Sequence, residues 1–115
     1  MENAEKSGDV RSFVKSNYEF HFRLYQQSRS PVLIDIINTL WLRVSPHLYN
    51  LHQNRADRYR VSNEHHKTMV EAVRCGDAEA ASNALIADVS DAYDDLVAAQ
   101  IEVDRALLIQ LWTLF

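Results

Sequence analysis

From Asp77 to the C-terminus, 39 residues run without a glycine or a proline. A stretch that long cannot be a series of short strands, because tight turns draw on residues that tolerate unusual dihedrals. It reads as one helix, with Asp77 as its cap. Drawn as a single rod from residue 77 to 112 it would be about 54 Å long. A compact domain of this size is only ~26 Å across. The helix is therefore expected to bend, break or overhang. Its end, Ala106-Leu107-Leu108-Ile109-Gln110-Leu111-Trp112, is apolar. A partner subunit, or a further part of the chain, is the natural cover for such a surface.

The whole 115-residue chain holds two glycines and two prolines, and these few breakers divide it into helices. Asp9 follows Gly8 and caps a first helix in which Val10, Phe13, Val14, Phe20, Leu24 and Tyr25 recur at helical spacing to about Gln27. Ser28-Arg29-Ser30-Pro31 is a break, with Ser30 as cap and Pro31 as first residue of a second helix. That helix carries Val32, Leu33, Ile36, Ile37, Leu40 and Trp41, and Pro46 is expected to kink it or end a first segment. His52 to Tyr59 reads as a loop or frayed helix, with His47 and His52 at the surface. The third helix is expected to start near Ser62 and to stop at Cys75-Gly76. The result is one all-α domain over residues 1–115, an antiparallel helical bundle.

Several functions are excluded by charge and cysteine count. A net charge of −4 and a pI near 5.7 leave no basic surface for a phosphate backbone. Cys75 is the only cysteine, so neither an internal disulfide nor a cysteine-rich zinc site can form. No signal-peptide core and no run of 18 apolar residues is present. The expectation is a cytoplasmic protein without membrane contact.

The informative residues are polar ones on apolar stripes. Asn17 and His21 lie one turn apart on the stripe Val10, Phe13, Val14, Asn17, Phe20, His21, Leu24. His66 is in line with Met69, Val70 and Val73, and His65 falls at the edge of that face. Asp88 sits on the stripe Ala81, Leu85, Asp88, Ala92, Leu96, Ala99. Its neighbours Asp91, Asp94 and Asp95 read as a solvated face. A buried carboxylate is costly unless paired or bound to a metal. Imidazoles and a carboxylate from facing helices suit a divalent transition metal such as zinc, nickel, manganese or iron. A buried hydrogen-bonded network accounts for the same stripes without a metal.

The same positions carry a resemblance. Asn17-Tyr18-Glu19-Phe20-His21 resembles an Asp-x-x-Phe-His motif. Glu64-His65-His66-Lys67-Thr68-Met69-Val70-Glu71-Ala72-Val73 resembles a histidine followed by an aliphatic pair and acidic-Ala-aliphatic. Gly76-Asp77-Ala78-Glu79-Ala80-Ala81 resembles Gly-Asp-x-x-x-Ala at the start of a last helix. All three, in this order, are similar to the FCD ligand-binding domain of GntR-type transcription regulators, the FadR branch, over roughly residues 5 to 100. The resemblance implies a metal held at Asn17, His21, His66 and Asp88. Asn17 stands where the family has an aspartate, and Asp88 where it has a histidine. It also implies a preceding winged helix-turn-helix and one further helix, neither within this chain, so Met1 aligns partway into the domain, as in a truncated or partial chain.

The expected function is therefore effector sensing for a regulator. A small organic acid would bind through the metal, with Arg43 available to its carboxylate. A homodimer would change the spacing of two attached DNA-binding heads. A metal-dependent enzyme is the alternative, but neither Glu-x-x-His, His-Glu-x-x-His nor a nucleophile elbow occurs. A metal-free dimerisation module is the third.

Overall fold

The computed structural model describes residues 9–55 and 57–114. They form four helices: α1 (Val10–Gln26), α2 (Pro31–Asn54), α3 (Asp57–Arg74) and α4 (Ala78–Leu114), with no strand among the described residues. The all-α reading holds.

The helix ends follow from side-chain chemistry. Asp9 accepts from the Ser12 amide at 3.2 Å and the Ser12 hydroxyl at 2.7 Å. The hydroxyl bond, then the amide bond, holds its carboxyl below the ordinary 3.8. The contribution of this cap is complete above that value and is lost only as pH falls through the lowered folded value. Ser30 Oγ accepts from the Leu33 amide at 3.3 Å, with Pro31 in the first turn behind it. Gly76 takes φ +71, its amide donating to Val73 and that of Asp77 to Ala72. These two bonds are a Schellman stop. A side chain at Gly76 would meet no atom within 4 Å, so the dihedral, not space, favours glycine there.

Two helix boundaries differ from those expected. α2 runs through Pro46 without ending. The missing amide and the ring cost about 3 kcal/mol in a helix interior, and burial of Leu48, Leu51 and His52 just beyond it offsets this. Within the stretch from His52 to Tyr59, expected as a loop or frayed helix, α2 continues to Asn54 and α3 begins at Asp57, not Ser62. α4 is one continuous 37-residue helix, and every side chain from Gln100 to Thr113 is exposed, which agrees with the overhang among the expected alternatives.

The chain forms two compact units, one up to Glu64 and one from His65, so that α3 contributes to both. In the first unit α1 packs on α2. Its core centres on Phe13, fully buried, stacked on Tyr59 at 4.5 Å and tilted against His52 at 4.7 Å. Burial pushes the Tyr59 phenol above 10.0, so it stays neutral. A second aromatic group joins Tyr18, Phe22, Tyr25 and Trp41. In the second unit α3 and α4 turn back at Gly76, burying Met69, Ala72 and Ala84.

No helix among the described residues is long and apolar enough to cross a membrane.

Candidate functional site

The second unit contains a buried acid–base pair. His66 Nε2 and Asp88 Oδ2 are 3.0 Å apart, with the two side chains 3% and 6% exposed. The Gly76 turn brings them together: 22 residues apart in sequence, they come to face each other where α4 returns beside α3. One α3 position earlier, His65 Nε2 meets Asp91 Oδ2 at 2.6 Å at a half-exposed edge. His65 thus sits at the rim as its register implied. Asp91 is no bystander of a solvated face, because it closes this second link.

In the first unit, Asn17 and His21 are both buried on α1. His21 Nδ1 shares a 3.2 Å hydrogen bond with the Tyr25 hydroxyl one turn on. That contact orients the ring. His21, His66 and Asp88 are each buried and each carry a ligand atom.

The donor chemistry fits a divalent metal. Two ligand atoms at about 2.0–2.1 Å from a tetrahedral or octahedral ion lie roughly 2.9–3.4 Å apart. The His66–Asp88 separation falls in that range. The same pair also makes a satisfactory hydrogen bond, so its chemistry serves both readings given above.

Other positions are now placed. Arg43 is exposed on α2. His47 is exposed as expected, but His52 is buried, against expectation; its Nδ1–H donates to the Leu48 carbonyl at 2.8 Å and its ring packs beside Phe13. Val70 and Val73, read as partners of His66 on its stripe, are exposed, and Ala72 is buried instead. Sequence reasoning missed the buried Arg58, Ser62 and Asn63 of α3. Ser62 lies one turn before His66 on the same helix. The first unit also carries an open cleft of about 470 Å³ between α1 and α2, lined by Arg11, Lys15, Tyr18, Trp41 and Tyr49 among others.

Residues 1–91 match the FCD domain. The chain belongs to the FCD domain family. Over 88 residues it is 28% identical to the HTH-type transcriptional regulator McbR of Escherichia coli (strain K12), a match covering 74% of this chain and 39% of that protein. The chain thus spans about two-fifths of the relative it matches. No solved structure matches significantly. FCD domains belong to transcription regulators, and the enzyme alternative is set aside.

Proposed function

We propose that this FCD domain senses a small organic acid through a divalent metal held by His21, His66 and Asp88, with Asn17 as a weak or water-bridged fourth donor. The observation that carries the reading is the buried His66–Asp88 pair at ligand-like separation. A bound zinc, nickel, manganese or iron ion would supply a Lewis-acidic centre with open positions for a carboxylate. His21 and His66 bind as neutral imidazoles, so occupancy falls in acid. Asp88 restores the negative charge that Asn17, in place of an aspartate, gives up. Arg43 pairs with the effector's carboxylate from α2. The domain works as a cytoplasmic homodimer, and DNA is contacted by an attached winged-helix domain, because a net charge of −4 suits no phosphate contact.

Metal analysis and thermal shift of the purified chain test this. The intact protein is expected to retain about one divalent ion per chain and to be stabilised by added metal. Both effects should vanish in His21→Ala and in His66→Ala. Unchanged metal content in His66→Ala would refute the site. Organic-acid binding that survives chelation would instead place the effector in the α1–α2 cleft, where Arg11 and Lys15 supply the cations. Unaltered acid affinity in Arg43→Gln would remove that residue from the ligand contacts and leave the metal reading intact.

A further inference from the structure

We propose that the end of α4 pairs in parallel, in register, with the same segment of a second copy, and that Asp104 and Arg105 select that orientation. The inference rests on the homodimer reading above and gives it a location. The match to the FCD domain ends at residue 91, so this segment lies past the family's common part.

Every side chain from Gln100 to Thr113 is exposed. At about 100° per residue, Val97, Ile101, Leu108 and Trp112 fall within one narrow sector of the helix. All four are exposed, Leu108 at 67% and Trp112 at 84%. The 11-residue recurrence, from 97 to 108 and from 101 to 112, is close to three helical turns. The stripe therefore stays straight enough to face a neighbour along its length. The stripe is apolar at these four positions, as an interface core requires.

The charges add direction. Between Val97 and Trp112 the only charged residues are Glu102, Asp104 and Arg105. Asp104 and Arg105 flank the stripe on opposite edges, each roughly 50° from its centre by the same helical spacing. Glu102 points well away from it. In a parallel two-fold pair, opposite edges of the two helices meet. Each Asp104 then lies beside the partner's Arg105, giving two ion pairs. In an antiparallel pair like edges meet, and aspartate faces aspartate. Gln100 Nε2 donates to Asp104 Oδ1 at 2.9 Å and steadies the carboxylate at that edge.

Single cysteines in a Cys75→Ser background test the arrangement under mild oxidation. Ile101→Cys and Leu108→Cys should each form a disulfide with their own kind, while Val103→Cys, on the opposite face, should not. Sedimentation of charge variants is the second arm. Asp104→Arg and Arg105→Asp should each weaken dimerisation several-fold, and the double variant should recover it. Cross-linking only between Ile101→Cys and Leu108→Cys in a mixture would mean antiparallel pairing and overturn the proposal. A dimer with no tail cross-links would also overturn it, placing the interface elsewhere, for instance on the exposed Val32–Ile36–Leu40 face of α2, and would leave the homodimer reading standing. A monomer at micromolar concentration would overturn both.

Discussion

In metal-free protein, His66→Ala is expected to lower unfolding free energy by about 3 kcal/mol, the upper end of the usual cost of leaving a buried hydrogen-bonding group without its partner. The Asp88 carboxylate stays buried after the imidazole is gone, and its charged form is then penalised by desolvation. The variant should therefore regain stability relative to the intact protein as pH falls, because protonation removes the buried charge. Asp88→Asn should cost much less, since an amide keeps the shape and a hydrogen bond to His66. Urea unfolding at two pH values reads all three results. A loss below ~1 kcal/mol for His66→Ala would mean that the pair contributes little to the fold and that its burial serves ligand binding alone.

Phe13→Ala should be at least as damaging, by about 3–5 kcal/mol. Phe13 is fully buried, and its ring is stacked on Tyr59 and tilted on His52. Truncation removes the apolar burial and leaves a cavity between the two remaining rings. It also forfeits the aromatic contact, worth about 0.5–1.5 kcal/mol beyond area. A domain of this kind has only about 5–15 kcal/mol in total, so the variant should melt far earlier. Equilibrium unfolding with a loss under ~1.5 kcal/mol would show that Tyr59 and His52 collapse into the space.

The comparison of sequence with structure turns on residue type. Asp9, Ser30, Gly76 and Asp77 were legible because a cap or a left-handed stop needs those side chains, wherever the helix later packs. The burial of Asn17, His21, His66 and Asp88 was legible because each falls in line with apolar residues at helical spacing, although Val70 and Val73 beyond His66 are exposed. The start of α3 was not. Its early buried face is Arg58, Tyr59, Ser62 and Asn63, mostly polar types that leave no apolar period to count. His52 was misplaced for a related reason. Its polar nitrogen is satisfied by the backbone carbonyl of Leu48 on its own helix, a partner that spacing between side chains cannot reveal. Pro46 left a kink or a stop open, and buried residues just beyond it keep the helix continuous.

The uninterrupted α4 has a consequence for backbone dynamics. Its first half buries Ala84 and Asp88, whereas its second half is held by little besides its own hydrogen bonds. An isolated helix of that length is marginal in water. Amide hydrogen exchange should thus be slow around Ala84 to Ala92 and quicken steadily after Gln100. If two such ends protect each other, the fast half alone would slow with rising protein concentration, and one helix would report both folding and association along its length.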